Sequence, residues 1–215
     1  MPKKEVAIKH TTILAAYIII VWGFYRCLFK LPEEIEEVII KPLLWLTPMF
    51  FLLRKEKMGL SSIGITSKNL FPSIYFSVAL GVVFALEGFL INIVKYKGVD
   101  FSANIGNTPL LLALTVSFVT AVSEELTFRG YIFGRIWHVL GSEFWSNLLT
   151  SVLWALVHIP VAIFWWELDF SGTLSILVLT TIFGVASAII YARTKNILAS
   201  ILLHVFWEWP IILFR

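Results

Sequence analysis

Seven apolar runs separated by short polar stretches make up most of the chain: residues 12–29, 38–53, 70–94, 108–122, 144–166, 174–191 and 197–214. A helix crosses the hydrocarbon core of a bilayer with roughly twenty apolar residues, and most of these runs approach that length. Run 38–53 is short and holds Pro42 and Pro48, which predicts a bent or re-entrant helix. Residues 128–140 are amphipathic and predict a partly inserted eighth helix. The pattern therefore predicts an all-α polytopic membrane helix bundle with about seven to eight transmembrane helices. The basic segment 1–9 precedes a run long enough to span, with no small-residue cleavage motif behind it, so a retained first helix is expected.

Composition narrows the class. Of 215 residues, 59% are hydrophobic and 14% charged, against about a quarter charged in soluble domains. This excludes a water-soluble fold. Nine Trp and eighteen Phe suit aromatic girdles at two membrane faces. Cys27 is the single cysteine, which excludes a disulfide framework and a Cys-based zinc site.

The net charge of +3 matters less than its distribution. Lys3, Lys4 and Lys9 precede the first run, Arg54, Lys55, Lys57 and Lys68 follow the second, Arg129 and Arg135 follow the fourth, and Arg193 and Lys195 follow the sixth. The intervening stretches are acidic, with Glu33, Glu34, Glu36 and Glu37 in one, Asp100 in another, and Glu167 and Asp169 in a third; Lys95 and Lys97 break the pattern. The positive-inside rule places the N-terminus and the basic loops in the cytosol. A multi-pass protein of the cell membrane, in contact with lipid and with no nucleic-acid partner, is expected.

Ionisable side chains inside apolar runs are costly, on the order of 3 kcal/mol for a carboxylate at a helix centre, and such residues usually serve function or pairing. Glu87, the pair Glu124–Glu125, His158, and His204 with Glu208 stand out. Glu125 and Arg129 are four apart and share a helix face. Glu124 is rotated about 100° away, free to face a polar cavity. His158 has Trp154 one turn earlier on the same face, placed to pack against or orient the imidazole. His204 and Glu208 are again four apart. Each site alone also reads as a helix-end carboxylate, a buried histidine on a backbone carbonyl, or a structural His–Glu pair. Together they predict one polar site built from three helices. A glutamate there would activate water and a neutral histidine would donate to an oxyanion.

The order Glu-Glu-x-x-x-Arg, aromatic-x-x-x-His and His-x-x-x-polar, each on an apolar helix, resembles the CPBP family. These are the intramembrane CAAX-prenyl-protease and bacteriocin-processing proteins, also called the abortive-infection family. Glu124 to Gly130 matches its first motif. Trp154–His158 matches the second with Trp where Phe is usual, and His204–Glu208 the third with Glu208 where Asn or Asp is usual. Residues 59–65 also resemble the family's membrane-entry segments. The resemblance implies N-terminal transmembrane helices over 1–107 and a CAAX-protease-like catalytic core over 108–215. It also implies an intramembrane endopeptidase acting on a membrane protein or lipidated peptide. Glu124 would activate water, His158 and His204 would support the oxyanion, and Glu125, Arg129, Glu208 and Trp154 would be supporting residues.

No cofactor is favoured. Zinc is the alternative, held by Glu124, His158, His204 and Glu208, since two imidazoles and a carboxylate form a familiar catalytic set, although the His-Glu-x-x-His arrangement of zincins is absent. Ionised Glu208 cannot donate to an oxyanion, which keeps open a non-catalytic immunity or scaffold member of the same fold. A small proton-linked transporter using Glu87 and the Glu–His cluster is a third reading, although no paired inverted halves are found. Glu87 otherwise reads as a single polar contact near a helix bend beside Gly81 and Gly88.

Overall fold

The computed structural model describes residues 1–98 and 108–213; Asp100, residue 107 at the expected boundary and Phe214 lie outside them. Seven helical rods and no strand are present among the described residues. They are α1 (Lys4–Leu28), α2 (33–55), α3 (Leu70–Tyr96), α4 (Leu110–Leu140), α5 (Glu143–Trp165), α6 (Phe170–Thr194) and α7 (Ile197–Leu213). Five of them, α1 and α3 to α6, are long and apolar enough to cross a membrane, while the apolar stretch of α7, Ile197–Trp209, is shorter.

Two expectations change. The run 108–122 does not end before the Glu pair, and the amphipathic stretch 128–140 is not a separate eighth helix. Both belong to α4, whose residues Leu126–Phe133 are wound as a π-helix. Arg129 and Arg135, expected in a cytosolic loop, are therefore fully buried in mid-helix. The run 38–53 starts earlier than expected, at 33, and carries its own π-helical segment, Glu36–Ile40. Pro42 falls in the first turn of the α-helical part, where a missing N–H costs little.

The surface and the interior are inverted relative to a soluble protein. Phe71, Leu111 and Phe170 are exposed along the rods, where lipid tails replace water. The interior holds Trp22, Trp45, Met49, Phe128, Trp154 and Phe183 together with the charged groups. Buried hydroxyls cap carbonyls of the preceding turn, as Thr150 does to Ser146 and Thr180 to Ile176, both at 2.7 Å. Asp169, expected in an acidic loop, is the N-cap of α6 and accepts from the Gly172 N–H at 2.7 Å. The short helical turn Leu60–Ile63, within the segment expected to resemble a membrane-entry element, packs on α4. A β-carbon on Gly130 would sit 2.7 Å from the Ile63 carbonyl oxygen. Gly130→Ala is therefore expected to cost about 1–3 kcal/mol by overpacking; an unchanged thermal midpoint in detergent would show that the turn yields freely.

Chain direction alternates from rod to rod. Asn196 donates to the Thr66 and Lys68 carbonyls, Asn69 to the Thr194 carbonyl and Lys4 to the Val139 carbonyl. These contacts place the N-terminus and the loops 56–69, 141–142 and 195–196 at one end of the bundle. Lys30 and Glu167, 3.8 Å apart, mark the other.

Candidate active site

Glu124 lies near the midpoint of α4 and is almost wholly buried, as is its neighbour Glu125. The hundred-degree step between consecutive helical residues sends the two carboxylates to different partners. Glu125 accepts from Ser187 of α6 at 2.7 Å, and its other oxygen lies 2.9 Å from Nδ1 of His204 and 3.2 Å from Arg129. The Arg129 guanidinium is within ion-pair reach, yet none of its nitrogens is aligned for a hydrogen bond. Its charge is met by Glu125 and by the face of Trp154, 4.4 Å away. Gly184 of α6 allows this approach, since a β-carbon there would stand 3.0 Å from the guanidinium.

Glu124, expected to face a polar cavity, has a polar partner at each carboxylate oxygen. One oxygen is 2.5 Å from the ammonium of Lys41, and the other accepts from the Trp154 indole N–H at 2.7 Å. A Phe at position 154, usual in the resembling family, could not make that second bond. Trp154 also accepts at its carbonyl from Nδ1 of His158 at 2.9 Å, and its ring stands edge-on to both His158 and His204. Because a carbonyl only accepts, Nδ1 of His158 carries the proton, and Nε2 of the neutral ring is an acceptor.

His204 is flanked by carboxylates on both sides, with Nε2 3.3 Å from Glu208. Glu208 in turn accepts from Ser117 at 2.5 Å. The structure thus brings together Glu124, Glu125, Arg129, Trp154, His158, His204 and Glu208 from α4, α5 and α7. Glu87 is not part of this cluster; it lies half-buried on α3 with no hydrogen bond or ion pair among the described residues.

The residues missed in the sequence come from α1 and α2. Glu36 and Glu37, expected in an acidic loop, are buried, as are Arg26 and Lys41. Lys41 bridges Glu124 and Glu37, the latter at 2.6 Å, and is boxed by the Trp22 and Trp45 rings. Glu37 also accepts from Thr120 of α4 at 2.7 Å, and Arg26 pairs with Glu36. The signal available was the four-residue spacing of Glu37 and Lys41. A second buried cluster lies toward the basic end, where Glu56 accepts from Tyr131 at 2.5 Å and from Arg135 at 2.7 Å, with His10 3.2 Å away.

The four-residue zinc set given above as the alternative fits poorly. Glu124 holds an ammonium, both nitrogens of His204 face other carboxylates, and among the described residues no three His, Cys, Asp or Glu side chains converge to hold a metal ion.

The chain is thus an all-helical membrane bundle with a paired-glutamate and two-histidine core. Residues 106–210 match the family described as type II CAAX prenyl endopeptidase Rce1-like. The protein named "Putative membrane peptidase YdiL" of Bacillus subtilis (strain 168) is 27% identical over 146 residues, covering 60% of this chain and 54% of the relative. The chain thus spans about half the length of the curated relative it matches. Arg26, Glu37 and Lys41 all lie outside residues 106–210.

Proposed function

We propose that this protein is an intramembrane endopeptidase in which Glu124 activates water against a peptide bond of a membrane-associated or lipidated substrate. The observation that carries this reading is the Glu124 carboxylate, held near the midpoint of α4 between an ammonium and an indole N–H and beside two imidazoles. Glu124 takes a proton from water, the hydroxide oxygen bonds to the scissile carbonyl carbon, and Glu124 returns the proton to the amine as the C–N bond breaks. With Nδ1 committed to the Trp154 carbonyl, His158 offers a lone pair at Nε2. This supports a role in orienting the water rather than the oxyanion role first assigned to it. His204 is the candidate oxyanion donor, with Nε2–H shared with Glu208. Metal-independent chemistry is the favoured route, and turnover by purified, reconstituted protein is expected to survive exhaustive chelation.

The basic ends still support a cytosolic N-terminus in the cell membrane after Arg129 and Arg135 are removed from the loops, because Arg54, Lys55, Lys57, Lys68, Arg193 and Lys195 remain at the end shared with the N-terminus. The reading is tested by comparing membrane peptides in cells carrying wild type or Glu124→Gln. Precursors that accumulate only in the variant support it, and identical peptide sets would favour a binding-only member of the fold, the reading to which Glu208 lends weight.

Glu208 provides a sharper prediction. Glu208→Asn removes a carboxylate from beside the developing negative charge, frees Nε2–H of His204 and adds an amide donor, giving up the longer carboxylate's bond from Ser117. One oxyanion donor is worth about 10²–10³ in kcat, so kcat is expected to rise by roughly tenfold or more. A fall in kcat would show that the Glu208 carboxylate itself takes part.

A further inference from the structure

At the end of the bundle that carries the N-terminus, remote from Glu124 along α4, a cavity of about 360 Å³ is lined by Met1, Ser61, Ser62, Gly134, Trp137, His138, Tyr191 and Lys195. Its walls are rich in donors and contain no carboxylate. The Ser62 hydroxyl is buried without a hydrogen-bond partner. The Tyr191 and Ser61 hydroxyls make no hydrogen bond among the described residues. Lys195 makes no ion pair there and rests its ammonium 3.6 Å from the centre of the Trp137 ring. His138 is held by the Pro2 carbonyl at 3.1 Å. Directly behind the wall, Arg135 reaches the Ser62 carbonyl.

The nearby carboxylates are already committed. Glu56 is bound by Arg135, Tyr131 and His10, and Glu143 pairs with Arg193 at 2.9 Å. Lys195 is placed by a left-handed backbone (φ 53°) at the C-cap of α6, so its position is set by the fold. Partial burial pushes its ammonium below the usual lysine range, with Glu143 only partly opposing this. A buried donor without an acceptor costs about 1–3 kcal/mol, and a cavity that gathers several is complementary to a ligand that brings acceptors and negative charge.

We propose that this cavity binds the phosphate-bearing headgroup of an anionic phospholipid. The membrane, rather than the aqueous phase, is the favoured source for two reasons. The cavity lies at the helix ends, beside the exposed apolar side chains of Ile8, Leu140, Phe144 and Trp145. Its Trp, Tyr and Lys are also the residue types that settle at the headgroup level. Basic pockets between transmembrane helices take such headgroups, and the volume lies within the usual range for small-ligand sites.

The test uses the full chain in nanodiscs of phosphatidylcholine alone or mixed with phosphatidylglycerol. Native mass spectrometry is expected to find phosphatidylglycerol retained on the wild type, and retention is expected to fall by about fivefold or more in Lys195→Gln combined with Ser62→Ala. Arg54→Gln, an exposed charge at the same end outside the cavity, should leave retention unchanged. On the wild type itself, acylation of Lys195 by an amine reagent should slow by a similar factor when phosphatidylglycerol is present, while Lys97 at the opposite end reacts at the same rate. Equal loss of lipid in the Lys195 and Arg54 variants would overturn the proposal, leaving only diffuse charge attraction. Inorganic phosphate that protects Lys195 as well as the lipid does would also overturn it, by assigning the cavity to a soluble anion. Lys195 and Ser62 take no part in the proposed chemistry at Glu124, so this outcome and the endopeptidase reading stand or fall separately.

Discussion

Replacing Lys41 with Met is expected to destabilise the bundle by about 3–5 kcal/mol, the usual cost of stripping one partner from a buried ion pair. The ammonium lies 2.5 Å from Glu124 and 2.6 Å from Glu37, and little of it reaches the surface. Without it, Glu124 keeps only the Trp154 N–H, while Glu37 keeps Thr120 and a distant Arg26 at 3.9 Å. Two carboxylates would then share the interior with too little positive charge. The thermal midpoint in detergent is expected to fall by on the order of 10 °C. Adding Glu124→Gln to Lys41→Met should recover part of the loss, because the double variant no longer buries that unpaired charge. A coupling of roughly 1–3 kcal/mol between the two positions would establish direct pairing. Additive effects would mean that the two groups do not interact in solution.

Lys41 also shows where sequence reading stops. Glu124, Glu125, His158 and His204 were legible because a charge inside a long apolar run is conspicuous, and their spacing matched three helical motifs. Glu36 and Glu37 sit between the first two apolar runs, where charges ordinarily mark a loop, while Arg26 and Lys41 lie near the ends of runs 12–29 and 38–53, where a charge reads as a flank. What buries them is tertiary: α2 begins earlier than its apolar pattern, a π-helical segment shifts its register, and Thr120 and Glu124 wait on α4 to receive it. Arg135 was hidden for a related reason. Its partner Glu56 is nearly eighty residues away, and no local pattern announces that pairing. The seven apolar runs correspond to seven rods, and only the eighth stretch, 128–140, proved to be the continuation of α4.

The second large effect separates the two adjacent glutamates. Glu124→Gln is expected to lower peptide-bond cleavage by about 10²–10⁴-fold, the range contributed by a positioned general base, with little loss of folded protein. The single amide oxygen can accept from Trp154 or Lys41 but not both, and Lys41 retains Glu37, so no buried charge is left alone. Glu125→Gln should do the reverse. Glu125 is completely buried and serves His204, Arg129 and Ser187 at once. Its neutralisation leaves the Arg129 guanidinium, which has no aligned hydrogen bond of its own, with only the Trp154 face. A loss of several kcal/mol follows, about 3–5 by analogy with other broken buried pairs. Turnover per folded molecule, measured beside the thermal midpoint, distinguishes the two. Wild-type turnover in Glu124→Gln would remove Glu124 as the base. A Glu125→Gln protein as stable as wild type would move the structural role elsewhere, since adjacent residues on one helix can divide chemistry from support only if their partners differ as sharply as they do here.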